Sequence, residues 1–313
     1  MASVTLAESA KLSQDALVSG VIENVITVNR ILEVLPFHAM EGNAISYNRE
    51  NALGAVENVG VGDTISAGKA AATFTTVTSS LTTIIGDAEV NGLIQATRSN
   101  LTDQTAAQVA SKAKSIGRQY GNHLLNGTGS SDQFTGLLSL VDAANTVVQD
   151  VGGNGTVTNG GDFTLGKLDE MLDTVTDKDG EVEWICMHRR TIRALKALLR
   201  TQGGATIEET VTLPSGKKVL EYGGIPIYPN DFMPTDQTVG SSDDCTTVLC
   251  GTWDDGTQTT GVGGLTAANA AGVVIEDAGV HQSRDERITR VKWYCGLALY
   301  SLEGLGALTG VRN

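Results

Sequence analysis

Several things are scarce in this 313-residue sequence. Positive charge is one of them: 22 Lys and Arg stand against 36 Asp and Glu, a net charge of −14. That balance argues against an overall electrostatic binder of nucleic acid, which needs a basic footprint. Only four cysteines are spread along the chain, too few for a disulfide scaffold, and the expectation is folding in a reducing cytoplasm. Aromatic residues make up 4% and prolines number five. No apolar run reaches the ~18 residues of a membrane-spanning helix. The opening MASVTLAESAKLSQDALV has no basic stretch followed by an apolar one, so no secretory signal is expected.

Enzyme and metal motifs are also missing. Gly62 to Gly68-Lys69 resembles a phosphate loop, but the spacing is one residue too long and Ala70 replaces the magnesium-binding Ser or Thr. Asp177-Lys178-Asp179-Gly180 resembles a calcium loop. Val175 stands where a ligand is needed, and no Glu lies six residues past Gly180. Cys186-Met187-His188 and Cys245-x₄-Cys250 lack the paired spacing of a zinc site and read as buried structural thiols. There is no G-x-S-x-G and no H-E-x-x-H. His38, His123, His188 and His281 sit in unrelated contexts. The N-x-T sites at Asn100, Asn126 and Asn154 carry no weight without a secretory route. The expectation is therefore no catalytic site, no cofactor and no metal.

What the chain has is glycine, 37 of 313 residues against a usual ~7%, and patterns that speak of shape. Val109, Ala113, Ile116, Tyr120 and Leu124 recur at helical spacing and predict a helix over 102–125, roughly 36 Å long. Its single narrow stripe suits a helix lying across a sheet. Ahead of it, Ala44–Glu50 and Thr73–Ile85 read as strands, with Val77, Leu81 and Ile85 on one face. The glycine-rich stretch between them makes a hairpin whose arms would each reach roughly 50 Å at 15 residues or more. A compact body of this length is only about 40 Å across. So long a hairpin, poor in large apolar residues, is expected to lie on a neighbouring subunit rather than on its own body.

The middle reads as mixed α and β. Val147–Gly161 is loop-like. Asp162 precedes a helix with Leu165, Leu168, Met171, Leu172 and Val175 on one face. Glu181–Met187 alternates as a strand, with Val182, Trp184 and Cys186 sharing a face. A helix over 188–201 follows, ended by Gly203-Gly204, and carries Arg189, Arg190, Arg193, Lys196 and Arg200. Arg189, Arg193, Lys196 and Arg200 form one basic stripe, read either as a solvated face or as a surface meeting a neighbour or nucleic acid. Glu208, Glu209 and Glu221 of an adjacent subunit are candidate partners. Four prolines, Pro214, Pro226, Pro229 and Pro234, mark an irregular region. Short strands follow near 246–249 and 272–276. Arg290–Tyr300 is a clean strand with Val291, Trp293, Cys295, Leu297 and Leu299 facing one way. No repeat or linker divides the chain.

The order of N-terminal arm, long hairpin, long helix, α/β insert and returning strand resembles the major capsid proteins of tailed double-stranded-DNA bacteriophages, the Hong Kong 97-type fold. Glu181–Met187 with the basic helix resembles the family's central strand and helix. Gly223-Gly-Ile-Pro-Ile-Tyr-Pro-Asn-Asp231 resembles its strand and turn, and Arg290–Leu299 its closing peripheral strand. The resemblance implies an α+β fold with an N-terminal arm at 1–42 and an extended loop at 43–90. A peripheral domain with the spine helix would cover 91–131, an axial domain 132–275, and a return to the peripheral domain 276–313. No long coiled-coil extension precedes the arm, which implies a cleaved or separate scaffold. Some members crosslink through a loop lysine, a neighbour's asparagine and a glutamate. Lys69 lies in the corresponding loop, with no asparagine or glutamate matched.

The resemblance also implies a non-enzymatic protein that assembles as pentamers and hexamers into an icosahedral shell around the genome. Its partners would be further copies, a portal, a scaffolding protein, cement proteins and the enclosed DNA, with no membrane. It would be a virion component assembled in the host cytoplasm. The expected assembly-interface residues are Lys69, Arg189, Arg193, Lys196 and Arg200. An encapsulin-type compartment shares the fold and is the nearest alternative. A tail-tube or surface protein is all-β, which the helices oppose.

Overall fold

A computed structural model describes residues 30–98, 103–130, 132–150, 159–177, 180–201, 210–213, 216 and 218–312. Most of the expected N-terminal arm, and Glu208 and Glu209, lie outside them. Along the chain the strands are β1 (Phe37–Met40), β2 (Ala44–Ala52), β3 (Thr73–Ser80), β4 (Thr82–Asn91), β5 (Thr146–Val148), β6 (Gly161–Asp162), β7 (Trp184–Met187) and β8 (Thr210–Thr212). They continue as β9 (Lys218–Tyr222), β10 (Ile225–Pro229), β11 (Gln237–Val239), β12 (Ser242–Gly251), β13 (Val262–Ala267), β14 (Val274–Val280), β15 (Glu286–Leu299) and β16 (Leu305–Arg312). The α-helices are α1 (Gly92–Arg98), α2 (Gln104–Asn126), α3 (Leu137–Leu140), α4 (Leu165–Thr176) and α5 (Arg189–Thr201).

The helix pattern around Val109–Leu124 is realised as α2. Asp103 caps it, its carboxylate accepting from the backbone N–H of Thr105 and Ala106, which satisfies two of the orphan donors of the first turn. Ile116, Tyr120 and Leu124 are buried where α2 lies across β4 and β15. There the Tyr120 ring sits 4.6 Å from the ring of Trp293, and Phe37 of β1 closes on Trp293 at 5.6 Å. Val291, Trp293, Cys295, Leu297 and Leu299 of β15 all join this core, as their alternation requires. The opposite face of the sheet is polar between β4, β15 and β14, with Arg290 on Asp87 at 2.8 Å and Lys292 on Glu276 at 2.7 Å. Such cross-strand pairs fix the register. The other end of that face buries Met40, Leu265 and Ala298. Gly264 lets β1 approach β13, because a Cβ there would stand 2.7 Å from the Phe37 ring.

Strand pairing divides the chain differently from the expected blocks. The smaller sheet runs β1-β13-β15-β14, with β4 on the other side of β15. The larger runs β5-β16-β12-β7-β10-β9-β8. So β13 and the start of β14 leave the 132–275 block for the smaller sheet, while β16, expected to return to the peripheral unit, joins the larger one. It pairs antiparallel with β12 and parallel with β5. Val182 also departs from expectation. It packs with Ile185 and Met187, whereas Trp184 and Cys186 face the other cluster, because the regular strand begins only at Trp184.

One core cluster passes beneath both sheets, holding Trp293 and Val291 together with Trp184, Leu249 and Leu305. A second fills the other face of the larger sheet, where α4 contributes Leu168, Met171 and Val175 and α5 contributes Leu195. Cys186, Cys245, Cys250 and Cys295 are buried free thiols. Burial pushes Cys186, Cys250 and Cys295 up to about 12, so they are held as inert thiols.

Candidate functional site: an extended hairpin and a basic cleft

The hairpin is shorter in its paired part than the sequence suggests. Ala44 faces Ser80 and Ala52 faces Thr73, with the ladder formed between them. At Leu81 the second arm changes partner: β3 pairs with β2, and β4 pairs with β15 from Thr82 onward. The break shifts the phase of the strand. Ile84, Ala88 and Val90 become the buried set, and Ile85, expected on the face of Val77 and Leu81, is 52% exposed.

The hairpin base, contrary to expectation, is fastened to its own body. Tyr47 Oη donates to the Leu299 carbonyl at 2.6 Å, and Arg49 Nε to the Tyr300 carbonyl at 3.0 Å. Tyr47 packs on Tyr300 with ring centroids 5.2 Å apart, and Ile45 and Leu81 join the same cluster. The outward side of the ribbon is a polar ladder, in which Thr76 donates to Asn48 at 2.7 Å. Beyond Ala52 the loop holds its own shape: the Glu57 carboxylate accepts from Ser66 N–H at 2.5 Å and that of Asp63 from Gly60 N–H at 2.8 Å. It also displays apolar side chains. Leu53 is 81% exposed and Val56 93%, and Phe74 of the adjoining β3 is 64% exposed. Lys69 ends a single 3-10 turn in this loop and is exposed.

The predicted basic stripe becomes one wall of a cleft. A cavity of about 400 Å³ lies between α5, β9, β10 and the 3-10 turn Arg30–Glu33. Arg189, Arg193, Lys196 and Arg200 line it together with Arg30 and Lys218, over a floor that includes Ile192, Ile227 and Pro229. Among the described residues lining it there is no carboxylate. Arg30 donates to the Lys218 carbonyl at 3.4 Å, which draws those two cations to one edge. Sequence spacing found the four on the helix. It missed Arg30 and Lys218, which only the tertiary fold brings there.

Arg190, off the stripe as its spacing requires, donates to the Asp244 carbonyl at 2.6 Å. Glu221 neighbours Leu220 and Tyr222 on β9 but alternates to the opposite face of that strand, away from α5. His188 Nδ1 accepts from Arg190 N–H at 3.1 Å and starts the helix. Burial, and then the positive charge of Arg190, hold His188 below the usual histidine range, with Asp231 acting in the other direction. Arg189, Arg193 and Arg200 have no ion-pair partner among the described residues. The described residues thus present two surfaces of unusual character: a loop with exposed apolar side chains and a concentrated patch of cations.

The sequence profile of the SU10 major capsid protein family matches residues 44–261, well over half of the chain. No curated protein sequence matches it. Among solved structures the chain is similar to the holo-SrpI encapsulin complex from Synechococcus elongatus PCC 7942, with a TM-score of 0.73 at 19% identity over 99% of this chain and 96% of that one. It is also similar to the capsid of a native GTA particle, with a TM-score of 0.67 at 13% identity over 95% of each chain. The Cyanophage A-1(L) capsid matches with a TM-score of 0.68 at 10% identity, over 97% of this chain and 98% of that one. At these identities the likeness is one of fold.

Proposed function

Since the chain belongs to the SU10 major capsid protein family, we propose that it builds the icosahedral head of a tailed bacteriophage from pentamers and hexamers of itself, around double-stranded DNA. Its role as a shell-forming virion component follows from the family, and the observation that carries the reading is the profile match over residues 44–261. The work of such a protein is structural, without catalysis. In this reading the larger sheet with α4 and α5 is the axial domain gathered about the five- and six-fold axes. The smaller sheet with α2 is the peripheral domain, and the hairpin is the extended loop that reaches a neighbour. Lys69 on that loop, and Arg189, Arg193, Lys196 and Arg200 in the cleft, are contact residues between subunits. A portal, a scaffolding protein and cement proteins complete the head, which assembles in the host cytoplasm.

Two physical features support this. A shell needs many repeated weak contacts rather than one deep pocket, and the exposed loop and the cleft are contacts of that kind. The net charge of −14 keeps the wall from adhering to the DNA inside. An encapsulin-type compartment has the same fold, and it is the family match that separates the two. Expression of the chain with and without its genomic neighbours, followed by negative-stain electron microscopy, tests the reading. Closed polyhedral particles that take up DNA in the presence of a portal are expected. Tubes, or a monomer under every assembly condition, would refute it.

A further inference from the structure

Both α4 and α5 lie on one face of the larger sheet, sharing the second core cluster. Their outer flanks look in opposite directions. The flank of α5 faces β9 and β10 and forms the basic cleft. The flank of α4 faces β5, where a groove of about 520 Å³ is lined by Glu170, Asp173, Asp177 and Lys167. Lys167 is engaged by Glu170 at 2.8 Å, leaving Asp173 and Asp177 as exposed outward charges. In the sheet order, β5 and β9 are separated by β16, β12, β7 and β10. At ~4.8 Å per strand the acidic and basic flanks are roughly 24 Å apart, at opposite edges of one layer.

Part of each flank is also badly placed for its own helix, although Arg200 suits the last turn of α5. Carboxylates stabilise a helix at its N-terminus and cations at its C-terminus. Here Asp173 and Asp177 crowd the C-terminal end of α4, which has no basic residue in its last turn. Arg189 and Arg190 open α5, which has no acidic residue in its first turn. Inside the subunit Asp173, Asp177, Arg189 and Arg190 work against the helices that carry them. An opposite charge from outside relieves both.

Resting on the capsid reading, we propose that the acidic flank of α4 in one copy seats against the basic cleft of α5 in the next, and that this head-to-tail contact closes the ring of subunits. Because the two surfaces differ and sit at opposite edges, the contact is heterologous and repeats identically around a rotation axis. One contact geometry then serves rings of five and of six, with a small change of angle.

The test is charge reversal with compensation. One variant carries Arg189→Glu, Arg193→Glu, Lys196→Glu and Arg200→Glu, which leaves the cleft net negative despite Arg30 and Lys218, a second Asp173→Arg and Asp177→Arg, and a third all six changes. Circular dichroism checks folding, and sedimentation with electron microscopy measures assembly at ~0.1 M salt, where charges within about 10 Å still act. Each variant with one surface reversed is expected to lower particle yield roughly tenfold, and the combined variant to return to within about twofold of the wild type, as paired charges allow. The two singly reversed chains, mixed one to one, complement each other only by alternating. Even-membered rings are then expected, while a five-membered ring keeps one repulsive contact.

If the cleft meets nucleic-acid phosphate instead, reversing the cleft alone abolishes packaging, while reversing α4 has no effect and restores nothing. That result overturns the proposal, as does normal assembly by both singly reversed variants. Should reversal unfold the chain, Arg193→Gln with Arg200→Gln reads the same contact. Wild-type assembly then weakens as salt rises and the neutral form does not respond; equal salt responses refute the contact. A wild type that forms no particles at all refutes the capsid reading itself, and this contact with it.

Discussion

Removing the hairpin loop is expected to separate folding from assembly. Ala52 and Thr73 face each other at the end of the ladder, so residues 53–72 can be replaced by Asn-Gly, which closes a tight two-residue turn of the hand that strands prefer. The subunit loses no core side chain by this change, because Leu53 and Val56 are 81% and 93% exposed. Its unfolding free energy is expected to stay within about 0.5 kcal/mol of the wild type, and shortening the loop moves it upward if at all. The shell responds differently. Fully burying an apolar side chain of this size is worth about 1.5–3 kcal/mol. Seating Leu53, Val56 and the 64%-exposed Phe74 on a neighbour therefore contributes roughly 5–9 kcal/mol per subunit, before association costs of about 4–15 kcal/mol. Losing two of the three side chains removes most of that margin. Urea unfolding of the unassembled chain and sedimentation of the assembly reaction read the two effects separately. A truncated chain that closes shells at wild-type yield would show that the loop is not a subunit contact. One that unfolds would show that the loop belongs to the subunit's own core.

Trp293→Ala is expected to cost about 3–5 kcal/mol, the range for a large buried aromatic, since the ring is only 8% exposed between Tyr120 and Phe37. An unchanged urea midpoint would contradict that packing. Asp103→Ala removes the cap of α2 and is expected to cost about 1 kcal/mol, with Asp103→Asn recovering most of it in the same assay. Burial holds His123 and His188 below the usual histidine range, so the folded chain keeps them neutral while the unfolded chain takes up protons. Stability is therefore expected to fall as the pH drops below ~6.5 and to level off once the folded-state values are passed. His123→Gln with His188→Gln should flatten urea midpoints measured between neutral and mildly acid pH; an unchanged slope would assign the acid response to other groups.

Periodicity carried much of the architecture. The stripe from Val109 to Leu124 and the alternation from Val291 to Leu299 are each set by burial of one face, and burial of one face is written in sequence spacing. The four cations of α5 were legible for the same reason. Partner exchange was not. Nothing in the composition of Ser80-Leu81-Thr82 marks the point where β3 leaves one ladder and β4 enters another, since both halves have strand chemistry. The sheet joined by β16 was hidden too, because its small apolar residues suit either sheet and pairing is chosen by register and by neighbours. Arg30 and Lys218 reach the cleft from positions 188 residues apart, a distance over which no local pattern acts.

The placement of β16 has a consequence in time. Residues 305–312 are made after every strand they join, yet they sit between β5 and β12. Until they emerge, that sheet is split between β5 and β12, and both core clusters lack the β16 side chains Leu305, Ala307, Leu308 and Val311. A ribosome that stalls before Leu305 leaves a chain that cannot complete its larger sheet. Prematurely ended chains are thereby kept out of a structure in which one defective part would be copied into the wall and trapped there. The fold itself inspects each subunit for completeness before the lattice admits it.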